Sequence, residues 1–257
     1  MKPTAEATLQ RSPLRLQQLS HKRKYERGAA LLLLLVVASV AAAGILISAF
    51  SRSNIERIRE RKTITLLAHA TDALVGFAAT HGRLPRPAIS ATDGHERQEA
   101  CQAEEDCTGF LPWVDLGVEG VDSWGKVLRY AVTPGYTKPP ILRVSAIATK
   151  RVQSRDGQGL LFYTVGQDEC LLAAQCAPAI VLSQGRNNLG THANGLRLAN
   201  GAINNRDEIG NDTASIGFIA RPANDDARRA GGEFDDLLAA VPLQTMYDRM
   251  ARAKTLP

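Results

Sequence analysis

From Ala29 to Phe50 the chain runs through 22 consecutive residues with no charge, no proline and one glycine, AALLLLLVVASVAAAGILISAF. A helix rises about 1.5 Å per residue, so this run covers roughly 33 Å, against a bilayer core of about 30 Å. The expectation is a membrane-spanning helix over 29–50. A cleavable secretory signal has a shorter apolar region, about 7–15 residues. The small residues around Ala41 to Ala43 still leave room for an Ala-x-Ala cut, so retention does not follow from length alone.

Charge placement narrows the partners. Residues 1–28 carry seven Lys/Arg and two acids, which accounts for the whole net charge of +5. The remainder is neutral and shows no basic stripe with interleaved aromatics, which argues against nucleic-acid binding. A basic leader before an apolar run reads as a topology signal. Six Lys/Arg lie within twenty residues before the run and five within twenty after it. The positive-inside rule therefore favours a cytoplasmic leader by a narrow margin.

No helix-stop residue follows the apolar run until Gly82 and Pro85. Ile55, Ile58, Leu66, Leu67, Ala70, Leu74 and Phe77 recur at helical spacings and draw one apolar stripe over 51–81. This predicts a single helix from Ala29 to Thr80, roughly 78 Å at 1.5 Å per residue. Beyond it, residues 82–257 change character. KVLRYAVT (126–133), ILRVSAIAT (141–149), GLLFYTV (159–165) and AIVLS (179–183) read as strands between Gly, Pro, Asn and Asp turns. Pro242 interrupts the tail, so a strand or turn is expected before it and a helix from about Leu243. One long helix followed by consecutive strands predicts an α+β fold with an antiparallel sheet. Trp113 and Trp124 are expected to fill the seam between helix and sheet.

The four cysteines fall as two pairs, Cys101 with Cys107 and Cys170 with Cys176, each with five intervening residues. Two local disulfides are the favoured reading, each worth on the order of 2–3 kcal/mol in the chain-entropy model. A four-cysteine zinc site normally uses gaps of two to four within a pair, so this spacing is off-pattern; free thiols are the third option. Disulfides need an oxidising compartment and so favour an external globular part.

Catalytic signatures are absent. His21, His69, His81, His95 and His192 are scattered, and no nucleophile elbow, HExxH or phosphate loop occurs. GRNNLG (185–190) lacks the strand and helix that a dinucleotide loop needs and reads as a turn. NNRDEIGND (204–212) reads as a solvated polar loop. It could hold calcium through Asp207, Glu208 and Asp212, but the alternating oxygens of an EF-hand loop are missing. No other cofactor is expected.

The basic leader ending in Gly28, the uncharged run, the continuing amphipathic helix and the β-rich domain together resemble the type IV pilin and pseudopilin superfamily. LLAHATDALVGFAATHGRLPRP, GFLPWVDLGVEGVDSWGKVLRYAVTP, AIVLSQGRNNLG and EFDDLLAAVPLQTMYDRM are similar to a proteobacterial group of prepilin-like proteins. The resemblance implies a pilin-like fold. A leader (1–28) would be cut by a prepilin peptidase between Gly28 and Ala29, and Ala29 would then be N-methylated. It also implies a single-pass position in the bacterial inner membrane, with residues 82–257 periplasmic. Partners would be other pilin or pseudopilin subunits, met through the helix.

Two departures from that pattern stand out. The superfamily usually has Glu at the fifth mature position, where this chain has Leu33, and Arg86 stands where relatives have Cys. An intramembrane carboxylate is costly without a partner, so Leu33 points to a minor subunit at a filament tip or to a chain that does not polymerise. The competing expectation is a membrane-anchored periplasmic binding module that never enters a filament. A tethered enzyme is the least supported.

Overall fold

The computed structural model describes residues 19–172 and 175–257, and gives residues 19–27 and 44–53 as backbone helix alone. Most of the expected leader, and the side chains of the last seven residues of the apolar run, 44–50, lie outside the described residues. The chain divides into two compact units, Met1–Glu56 and Arg57–Pro257.

The first helix, α1, is Leu19–His81, 63 residues. It ends where the sequence places its first stop. Gly82 turns left-handed at φ +67°, a conformation that costs glycine nothing, and its N–H bonds the Ala78 carbonyl at 2.9 Å. In the first unit, the described side chains from Gly28 to Ala43 are exposed on every side of the helix. In the second unit α1 is one-sided. Thr63, Leu66, Leu67, Ala70, Leu74, Val75 and Ala78 are buried. The expected stripe is right from Leu66 onward and wrong before it: Ile55 and Ile58 are exposed, the latter by 66%. Val75 and Ala78 take the core positions, while Phe77 lies at the edge, stacked on His81 and beneath the Arg83 guanidinium.

Among the described residues seven strands follow: β1 (Thr108–Phe110), β2 (Arg129–Val132), β3 (Arg151–Arg155), β4 (Leu161–Val165), β5 (Ala179–Ser183), β6 (Gly217–Ile219) and β7 (Leu237–Ala240). Three helices join α1: α2 (Trp113–Leu116), α3 (Arg206–Thr213) and α4 (Leu243–Arg252). The larger sheet has the order β1-β2-β5-β7 and is antiparallel throughout. β5 is buried along its whole length because both faces of the sheet are covered. Tyr130, Val132, Ala179 and Val181 face a core shared with α1 and with Met246, Tyr247 and Met250 of α4. Ala131 and Ile180 face the other way, onto Val152 of β3 and Phe218 of β6. The fold is therefore α+β, with helices on one face of the antiparallel sheet and a three-stranded sheet, β4-β3-β6, on the other.

The second sheet carries two corrections. β3 pairs with β6 in parallel, where only antiparallel pairing was expected. The strand expected over 141–149 does not form. After Pro139–Pro140 the chain turns at Leu142, whose carbonyl accepts the Ser145 and Ala146 N–H groups. Only Ile141 and Ala148 of that stretch enter the core, while Val144 is 82% exposed. The strand begins later, in RVQSR, where Val152 and Ser154 alone are buried. Trp113 packs, partly buried, against the core that α1 shares with the larger sheet, and its ring covers Gly94 and Gly120 so closely that neither has room for a side chain. Trp124 is half-buried in the turn between Asp122 and Lys126.

Candidate functional site

Two places in the chain carry chemistry that the fold alone does not require. The first is the head of the apolar run. Gly28 and Ala29 lie within α1, and a side chain added at Gly28 would meet nothing within 4 Å. Leu31 to Val37 and Val40 are exposed, with Leu33 at 69%, so this surface is apolar all round and is covered by none of the described residues. By length and composition, the one helical stretch among the described residues fit to cross a membrane is Asn54–His81, and 39% of its apolar 18-residue window is buried. That burial is the α1 face in the core, as a core helix requires. Gly28–Ala43 is the described part of the expected span and forms a shorter apolar helix.

Both expected disulfides are formed, Cys101–Cys107 and Cys170–Cys176, and no free cysteine is present among the described residues. Cys101, Cys107 and Cys176 are part of the main core. Disulfides belong to oxidising compartments.

The second place is a buried polar network around α3. NNRDEIGND is not a solvated loop: residues 206–213 are helical, and Asp207, Glu208 and Asn211 are buried. The three expected calcium ligands part company there. Asp207 Oδ1 and Oδ2 accept from Arg155 at 2.7 and 2.8 Å, and Oδ2 also accepts from Arg221 at 2.8 Å. Burial works to raise the Asp207 pKa, but the two guanidiniums outweigh it and hold the carboxyl below the usual range. Asp212 accepts from Gln184 at 2.8 Å and from Arg197 at 2.5 Å, and faces Arg129. Glu208 turns inward, toward Asp235 and Asp236.

Lys126 lies beside this inner group and is 1% exposed. Its ammonium donates to the carbonyls of Gln184, Asn187 and Asn188. Burial lowers its pKa, and Asp235, Asp122, Asp236 and Glu208 pull the other way. GRNNLG is thus a turn, as expected, but one whose carbonyls cage a buried cation. Its Gly190 has φ +90°, and a side chain there would strike the Lys126 stem at 2.8 Å. Sequence reasoning missed Lys126, Asp235 and Asp236. The adjacent acids in EFDDLL, at the entry to an apolar strand, were the available signal.

The histidines form no catalytic group among the described residues. His95 Nδ1 lies 2.9 Å from Asp115 at the surface, His192 Nδ1 lies 3.2 Å from the Gly125 carbonyl, and His69 is exposed. Compared with known proteins, the chain matches no family model, no curated protein and no solved structure.

Proposed function

We propose that this chain is a minor pilin-like or pseudopilin-like assembly subunit of a type IV pilus or type II secretion apparatus. In this reading a prepilin peptidase cuts between Gly28 and Ala29, Ala29 is N-methylated, and residues 29–50 hold the chain in the bacterial inner membrane with the globular part in the periplasm. The chain contributes helix packing and head docking, not catalysis. The observation that carries the reading is the exposed apolar surface of α1 from Leu31 to Val40, directly behind the Gly28–Ala29 junction. A water-exposed helix with that surface is unfavourable, whereas in lipid or against like helices it is satisfied. The continuation of the same helix into the core of an α+β head, and the two disulfides, fit a membrane-held external subunit. Leu33 supports a minor role, because it supplies no carboxylate for a neighbour's amine.

The test is co-expression with a prepilin peptidase, scored by loss of the 28-residue leader on a gel. Gly28→Ala should be processed and Gly28→Leu should not. Processing of both variants, or of neither wild type nor Gly28→Ala, would contradict the reading.

A further inference from the structure

Arg155, at the end of β3, and Arg221, just beyond β6, bind the same carboxylate, that of Asp207 on α3. Their side chains are 21% and 6% exposed, so two cations share one anion in a mostly dry place. Like charges held together there are costly unless a further anion balances them. The fold nevertheless fixes both. Arg221 Nη2 donates to the Gly232 carbonyl at 2.8 Å, and its guanidinium lies 4.4 Å from the centre of the Phe234 ring. Arg155 Nη1 donates to the Gly159 carbonyl at 2.8 Å. A side chain at Gly231, where φ is +83°, would collide with the Asp207 carboxylate, so glycine lets this loop close over the pair.

Both arginines line a cavity of about 530 Å³ between the 156–159 turn and residues 222–230, a size that suits a small ligand. Arg221 Nη1 is solvent-accessible and donates to no acceptor among the described residues. Arg229 lines the same cavity, is exposed, and its guanidinium makes no hydrogen bond among the described residues. Asp226, close to it in sequence, is already paired with Arg228. Asp156 is the single acid of the lining, and its Oδ1 accepts from the Gln158 and Leu160 N–H groups at 3.0 and 2.8 Å. Three guanidiniums thus meet two carboxylates, Asp156 and Asp207, and one positive charge is left over.

We propose that this cavity binds one tetrahedral oxyanion, a phosphate or phosphate ester, on Arg155, Arg221 and Arg229. A guanidinium presents parallel N–H donors that match phosphate oxygens, and a guanidinium already held in place loses little freedom on binding. Arg221 is the fixed anchor, because Asp207, Gly232 and Phe234 hold it without the ligand. Arg229 is the exposed arm that completes the grip. Asp207 positions Arg155 and Arg221 and does not itself touch the anion. The proposal is independent of leader processing.

The test uses the full chain in detergent micelles, dialysed to equilibrium against radiolabelled inorganic phosphate. The expectation is one phosphate per chain. Arg229→Gln should weaken binding about 10-fold, and Arg221→Gln at least as much. Arg228→Gln, next to Arg229 but outside the lining, should bind as the wild type does. Arg229 supports no other contact, so its variant keeps the test valid even if Arg221→Gln fails to fold. Displacement by glycerol 3-phosphate alone assigns the site to a free phosphate ester. Displacement by glycerophosphoglycerol, the tail-free headgroup of an anionic lipid, assigns it to a lipid. No bound phosphate in the wild type, unchanged binding in Arg229→Gln, or equal displacement by chloride would overturn the proposal.

Discussion

The hydroxyls of Tyr136 and Tyr247 meet at 2.6 Å across 111 residues of sequence, joining the turn after β2 to α4. Tyr136 also donates to the Ala146 carbonyl at 3.1 Å, which leaves Tyr247 as the donor between the two rings. Burial holds both phenols in the protonated form. Tyr247→Phe removes one buried bond and is expected to cost about 1 kcal/mol in urea unfolding. Tyr136→Phe should cost more, because it strands both the Ala146 carbonyl and the Tyr247 hydroxyl.

The two halves of the expected amphipathic stripe should respond differently to truncation. Leu74 is fully buried against the sheet, so Leu74→Ala is expected to lose about 2–5 kcal/mol. Ile58 is exposed, and Ile58→Ala should stay within about 0.5 kcal/mol of wild type. Comparable losses at both positions, measured by the same urea transition, would contradict the placement of the core face.

Asp235 gives stability a pH dependence of definite sign. Its folded pKa, about 6, lies above its unfolded value, near 3.9. The folded state therefore binds the proton more tightly. The contribution is full below the unfolded value and is lost as pH rises through about 6. Asp235→Asn removes this loss, so its unfolding free energy should gain on wild type between about pH 4 and 6, reaching on the order of 2–3 kcal/mol at neutral pH. A gap that does not change with pH would contradict the burial of Asp235 beside Glu208.

Removing the Cys101–Cys107 bridge as the double alanine variant should cost about 2–3 kcal/mol by the loop-closure argument, plus a packing loss, because both cysteines are in the main core. Unfolding with and without reductant should show the same ranking. A wild type indifferent to reductant would mean that the bridge adds nothing.

The helix and its end were legible because α1 is long and Gly82, with Pro85 behind it, is where glycine and proline first fall together. Ala179–Ser183 was legible because a strand covered on both faces is apolar at every position. Arg151–Arg155 was not, because a strand that buries only Val152 and Ser154 among charged neighbours has the composition of a loop. The pairing of cysteines followed from spacing, whereas the acid cluster did not. Glu208 and the Asp235–Asp236 pair are separated by 26 residues of sequence and meet only through the packing of α3 against the entry to β7. The loop reading of 204–212 failed because its polar residues are satisfied by one another and by buried arginines, not by water.

The central claim concerns the junction at Gly28, and mass spectrometry of the N-terminal peptide from membranes containing a prepilin peptidase tests it most directly. The account predicts a peptide beginning at N-methylated Ala29, and the intact leader when the peptidase is absent. A chain that keeps residues 1–28 in the presence of the peptidase, or one that begins after a signal-peptidase cut near Ala43, would contradict it.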